Sequence, residues 1–190
     1  MALAGQGQLH KAVALVAKYE QDETVPRDMF YGRLSGVYEN AHDYAMMAEC
    51  RARAIEHNPG SANAIIDYAV GLVLRLHDSQ GARRVLEKTR DKEILALAAS
   101  HVSFCQGLIA LEEKRFEDAQ AGLTEALEQI ALYADSRLMP GFILEIKSQL
   151  VIALGSAGKK AEATSIFAEV EPFLKAHKET EILTRCRQVA

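Results

Sequence analysis

The feature that most constrains this chain is a register. Short breaks centred on Gly7, His42, His77, Lys114 and Gly158 recur at spacings of 35, 35, 37 and 44 residues. Five residues after each break stands Ala12, Met47, Ala82, Ala119 or Ala163. A period of this length with a compact apolar residue at a fixed place is the signature of stacked supersecondary units, each burying a face against its neighbour. Between the breaks the apolar residues keep helical spacing, as in Ile66, Ala69, Val70 and Val73 on one face of the segment 62–76. No segment alternates with period two, so no strand is expected. Alanine supplies 30 of 190 residues, against 4 Pro and no Trp. It is the best helix former and lets helices approach closely. The expectation is an all-α chain of about nine or ten helices in antiparallel pairs.

Local punctuation agrees with this reading. Pro26-Arg27-Asp28 opens a helix running to about Asn40, with Asp28 placed to cap it. Asn58-Pro59-Gly60-Ser61 is the clearest turn, and Ser61 is the expected N-cap of a helix from Ala62 to Leu76. Glu93 to Glu113 reads as one long helix and Phe116 to about Tyr133 as its partner, and the 44-residue spacing requires longer helices or an extended turn around 135–141.

The pattern resembles the tetratricopeptide repeat, a pair of helices joined by a tight turn and repeated at about 34 residues. Ala119, Leu123 and Ala126, with Phe116 before them and Gly107 on the first helix, match that family's small, large and small positions. Leu34, Tyr38, Tyr44, Ala54 and Pro59 match a second unit in which Arg51 stands where an apolar residue is expected. Ala82 and Leu86 mark a third, departing at Ser79 and Thr89, and Gly158, Ala163 and Phe167 mark a last one, departing at Lys160 and Val170. Leu9, Ala12 and Val16 suit only the second half of a unit. The resemblance implies a right-handed α-solenoid forming one domain over residues 1–190. Its units span approximately 1–25 (a half unit), 28–60, 61–92, 93–134 and 135–177, followed by a capping helix at 178–190 that places Ile182, Leu183, Cys186 and Val189 on one face. A generic helical bundle and another type of α-solenoid remain alternatives.

Charge and cysteine usage narrow the function classes. Twenty-two basic against 26 acidic residues give a net charge of −4, without the basic excess that neutralises nucleic-acid phosphates. The longest apolar stretches, such as Leu150 to Leu154, fall far short of the ~20 residues that span a bilayer. The opening MALAGQGQLHK has neither a basic n-region nor a long h-region. Cys50, Cys105 and Cys186 are odd in number and widely spaced, which fits reduced thiols. A cytoplasmic protein is expected, although a targeting segment removed from a longer chain would leave no trace.

Catalytic motifs are not found. Gly5-x-Gly7 lacks a third glycine and a preceding strand, so it reads as a loosened turn and not as a dinucleotide loop. No GxxxxGK[ST], HExxH, GxSxG or EF-hand spacing occurs. His42, His57 and His77 fall at helix ends, where imidazole can meet unpaired carbonyls. His101 and Cys105 lie four apart on one helix, but no second pair completes a tetrahedral site. Glu112, Glu113, Glu117 and Asp118 bracket a turn, where carboxylates favour a helix start. The basic stretch Arg83, Arg84, Lys88, Arg90 and Lys92 reads as an exposed face or as a dock for an acidic segment. No metal and no cofactor are expected.

The resemblance implies a non-catalytic scaffold that binds a peptide or helix of another protein in a concave groove lined by the first helix of each pair. The matching positions are Met29, Gly32, Gly36 and Glu39, then Ala64, Asp67, Gly71 and Arg75, then His101, Phe104, Leu108 and Glu112, then Glu145, Ser148 and Ile152. Some chaperone-binding members of the family clamp a C-terminal carboxylate with Lys, Asn and Arg. Here Gly32, Gly36, Asp67 and Cys105 stand at four such places, so that clamp is not expected. Two other readings stay open: a structural or regulatory segment of a longer protein, and an enzyme of unrecognised type. Leu3, Leu9, Val13 and Val16 would lack a covering half-unit, which makes the first segment an expected contact face, including for a homodimer.

Overall fold

Four of the five breaks that the register marks fold as left-handed turns. The structure, a computed structural model, describes residues 8–20, 22–89, 96–132 and 140–190, so the first break, Gly7, lies outside the described residues, as do Leu3 and Gly5. At the other four, His42, His77, Lys114 and Gly158 have φ of 59°, 54°, 59° and 83°. That conformation lets a helix end by turning its chain back on its own last carbonyls. The Asp43, Arg115 and Lys159 amides donate across the turn to the Tyr38, Ala110 and Leu154 carbonyls at 2.9 Å, and Asp78 reaches one residue further back, to Leu72, at 3.0 Å. The donating residue is in each case the N-cap of the next helix, and the Asp43 and Asp78 side chains add a bond to the Met46 and Gly81 amides. One short segment therefore closes one helix and opens the next.

Ten α-helices result among the described residues, with no strand. They are α1 (Leu9–Ala17), α2 (Arg27–Asn40), α3 (Tyr44–His57), α4 (Ala62–Leu76), α5 (Ser79–Leu86), α6 (Ala96–Glu112), α7 (Phe116–Ala131), α8 (Pro140–Ser156), α9 (Lys160–Ala176) and α10 (Thr180–Val189), with one 3-10 turn at Glu87–Thr89. The compact residue of the register is the centre of packing throughout: Ala12, Met47, Ala82, Ala119 and Ala163 are all buried, as are Ala54, Thr89, Ala126 and Val170 two helical turns on from the last four. Ser61 caps α4 as expected, its Oγ accepting from the Ala64 amide at 3.2 Å. Asp28 does not cap α2. Helix α2 starts one residue earlier behind Pro26, whose φ of −55° already suits a helix start. Asp28 therefore sits in the first turn, where its carboxylate accepts from Asn58 Nδ2 at 2.7 Å and ties α2 to the turn after α3.

The chain divides into two compact units, Met1–Ile94 and Leu95–Ala190. In the first, α2 packs on α3, α3 on α4, α4 on α5, and α1 on α2. Its core holds Phe30, Val37, Met47, Ile55, Ile65, Ile66 and Val73. In the second, α6 packs on α7, α7 on α8, α8 on α9, and α10 rests on both α8 and α9. Its core holds Phe104, Leu123, Ile130, Ile146, Val151 and Leu174. The α6–α7 pair meets backbone to backbone: a Cβ on Gly107 would stand 2.8 Å from Leu123 Cγ, and one on Gly122 would stand 3.1 Å from Gly107 Cα.

Candidate functional site

In the first unit the assigned residues converge on a side chain that departs from the repeat pattern. Arg51, on α3, cannot bury its guanidinium in an apolar slot without partners, and it finds them at the end of α2 and the middle of α4. Its Nη2 donates to Glu39 Oε2 at 2.8 Å, and its Nη1 donates to the Asp67 carbonyl oxygen at 3.1 Å. Arg75, one helical turn on from Gly71, donates through Nε to the other Glu39 oxygen at 3.3 Å. Glu39 is thus shared by two guanidiniums, with side-chain exposures of 29% for Glu39, 15% for Arg51 and 13% for Arg75. The Arg51 guanidinium lies in the space a Cβ on Gly71 would need. Arg75 also lies over the Tyr44 ring at 5.8 Å, and the Tyr44 hydroxyl meets His42 Nδ1 at 2.7 Å. Glu39, Asp67, Gly71 and Arg75 therefore belong to one half-buried polar network.

The other assigned positions of this unit lie along the same helices. Met29 is 50% exposed near the start of α2. Gly32 is exposed, with open space where a Cβ would stand, and Gly36 is half-buried with its carbonyl accepting from Asn40 Nδ2 at 2.6 Å. Ala64 is half-buried in the first turn of α4. The network fixes the spacing of three helices through charge-assisted bonds and leaves a strip of α2 with little side-chain bulk beside it.

In the second unit the assigned residues are mostly covered. Phe104, Leu108, Ser148 and Ile152 are buried. His101 is half-buried and stacks on Phe142 of α8 with ring centroids 4.2 Å apart, and Phe104 meets the same ring edge-on at 5.4 Å. The cover over α8 is α10. Cys186 Sγ donates to the Ser148 carbonyl at 3.4 Å, Arg185 pairs with Glu112 of α6 at 3.6 Å, and Val189 lies against Gly155. Glu145 lines a depression of about 220 Å³ beside Ile182 of α10, and Ile152 lines another of about 270 Å³ beside Arg185.

The remaining candidates take structural places. His42, His57 and His77 stand at helix ends, with His57 stacked on Tyr31 at 5.4 Å. Arg115 gathers Glu113 and Asp118 of the acidic turn. Arg83, Arg84 and Lys88 are exposed, while Arg90 and Lys92 lie outside the described residues. Burial pushes the Cys50 thiol up to about 11 and the Cys105 and Cys186 thiols up to about 12, so all three are protonated near neutrality and poor nucleophiles as they stand. Among the described residues no group of three or more His, Cys, Asp or Glu is placed to hold a metal ion, and no helix is long and apolar enough to cross a membrane. On α1, Leu9, Val13 and Val16 are half-buried against Ala12 and Val37, while Leu15 and Tyr19 are exposed. The sequence pattern flagged Arg51 only as a departure and Tyr44 only as a repeat position, and gave no sign of Phe142 or Arg185. In hindsight the signal was an Arg in an apolar slot with Gly and Glu at matching heights on the flanking helices.

No protein-family model matches the chain, and no curated protein is similar enough in sequence to align with it.

Proposed function

We propose that the helix pairs form a tetratricopeptide-like α-solenoid and that the protein is a non-catalytic scaffold which docks a peptide or helix of another protein. The observation that carries this reading is the face of α2 and α4. It offers an exposed Met29, open backbone at Gly32 and, beside them, the Glu39–Arg51–Arg75 network, which supplies direction and polarity. Such a face binds by shape and charge. Three free, buried thiols suit a reducing compartment and favour a cytoplasmic location. The test is affinity capture with the intact protein, compared with Met29→Glu and Arg75→Glu variants. A partner recovered with the parent and lost from both variants, with helical content unchanged, supports the reading. Turnover in a broad hydrolase screen with no partner recovered overturns it. A second reading, self-association through α1, is favoured by Leu15 and Tyr19 standing exposed on or just past a helix whose other face is already packed. Light scattering across a concentration series tests it, and a strictly monomeric protein whose mass and stability ignore Leu9→Glu and Leu15→Glu excludes it.

A further inference from the structure

The last helix carries features that a simple end piece does not require. With 10 residues, α10 is below the roughly 12–15 at which an isolated helix persists in water, so it is helical because it is docked. Its docking pattern is that of an amphipathic ligand. Ile182 and Cys186 are buried and Val189 presses on Gly155, at positions i, i+4 and i+7, while two arginines reach a carboxylate on either flank. Arg185 pairs with Glu112 of α6, and Arg187 with Glu171 of α9 at 2.8 Å. The surface beneath was opened for it: a Cβ on Gly155 would stand 2.6 Å from the Val189 backbone oxygen. The fit leaves space beside the helix, in one depression lined by Gly141, Phe173, His177 and Ile182 and another lined by Leu111, Lys114, Phe116 and Arg185. The joint to α9 is the turn at Lys178, with φ of 58°.

We propose that the surface under α10 is the docking face of the second unit for a basic amphipathic helix of a partner, and that α10 occupies this face in cis and must leave for the partner to bind. The inference rests on the scaffold reading above and names both the chemistry of the partner and the device that regulates it. A partner helix would carry apolar residues at i, i+4 and i+7, with arginine or lysine beside them. The depressions beside α10 let a helix with bulkier side chains make contacts that α10 does not.

The full-length chain tests this with a labelled synthetic peptide of residues 178–190 as the probe. Reversing both arginines in the chain, Arg185→Glu with Arg187→Glu, sets like charges against Glu112 and Glu171 and raises the undocked fraction of α10, while the peptide keeps its arginines. Apparent affinity scales with the fraction of chains whose site is open, so the expected result is peptide binding at least tenfold tighter to the variant than to the parent. Amide hydrogen exchange of the parent is the second measurement, with α10 expected to exchange by a local opening that leaves α8 and α9 protected. Equal affinity for parent and variant, or no saturable binding to either, overturns the proposal. It is also overturned if α10 exchanges only together with α8 and α9, or if the variant loses their protection, because α10 would then be part of the core. None of these readouts involves a natural partner, so their failure removes the cis occupant and leaves the α2–α4 face to be judged by the capture experiment.

Discussion

The same substitution, glycine to alanine, should have opposite signs in α2 and α6, and the difference tests whether the helix pairs are packed as described. Glycine inside a helix is less favourable than alanine by about 1 kcal/mol. At Gly32 a Cβ meets no atom within 4 Å, so Gly32→Ala should yield most of that gain, about 0.5–1 kcal/mol. At Gly107 the new Cβ would stand 2.8 Å from Leu123 Cγ and 3.1 Å from the Leu123 amide nitrogen. Leu123 is fully buried and cannot swing away. Overpacking of this kind costs about 1–3 kcal/mol, which cancels or outweighs the propensity gain and leaves Gly107→Ala destabilising by up to about 2 kcal/mol. Urea unfolding followed by circular dichroism gives the two values, and hydrogen exchange of buried amides assigns each to its own unit. A Gly107→Ala variant as stabilising as Gly32→Ala would refute the close approach of α6 and α7.

Glu39→Gln leaves two half-buried guanidiniums without their carboxylate. At about 1.5–3 kcal/mol per charge-assisted bond, discounted because the side chain is 29% exposed, a loss of about 1–2 kcal/mol is expected by chemical denaturation. The Gln149 side chain is buried and its Nε2 finds no acceptor among the described residues, a condition that costs about 1–3 kcal/mol. Gln149→Met should therefore be neutral or stabilising, and a loss above about 1 kcal/mol would show a hidden partner. Burial holds the Cys105 and Cys186 thiols at about 12, against 9.0 when unburied. The folded state thus keeps its thiol protons more tightly, so their contribution is intact below pH 9 and is lost as pH rises toward 12. The slope is about 1.4 kcal/mol per pH unit for each thiol. Stability measured from pH 8 to 11 should fall in that sense, and at pH 8 labelling of Cys105 by a thiol reagent should wait on unfolding, whereas Cys186 should label as fast as α10 opens locally.

The register was readable because it reports turn geometry. At His42, His77, Lys114 and Gly158 a tight turn reverses one helix onto the next through a left-handed residue, and the next helix carries a compact residue where the two cross, whereas the longer turn at 58–61 manages the same reversal with no positive φ. Both leave a mark in sequence even when the turn residue is His or Lys and not Gly, as at His42, His77 and Lys114. Helix ends were less legible. Asp28 has the chemistry of a cap and stands close to the right place, yet Pro26 fixes the start one residue earlier. An N-cap depends on the φ and ψ of one residue, and nearby alternatives differ by about 1 kcal/mol.

Side-chain position along a helix was legible; what lies over it was not. Glu39, Asp67, Gly71 and Arg75 meet around Arg51 because positions on adjacent helices at matching heights come together whatever residues they carry. That Gly71 is filled by a guanidinium depends on a rotamer of a side chain 20 positions away, and no periodicity encodes it. The same limit explains Ser148 and Ile152. Their spacing places them on a single face of α8, but their burial is caused by α10, a segment of 10 residues that makes no pair of its own. A repeat pattern predicts which face each helix turns inward. Whether that face stays open depends on local contacts such as Cys186 on Ser148 and Arg185 on Glu112, which no period in the sequence encodes.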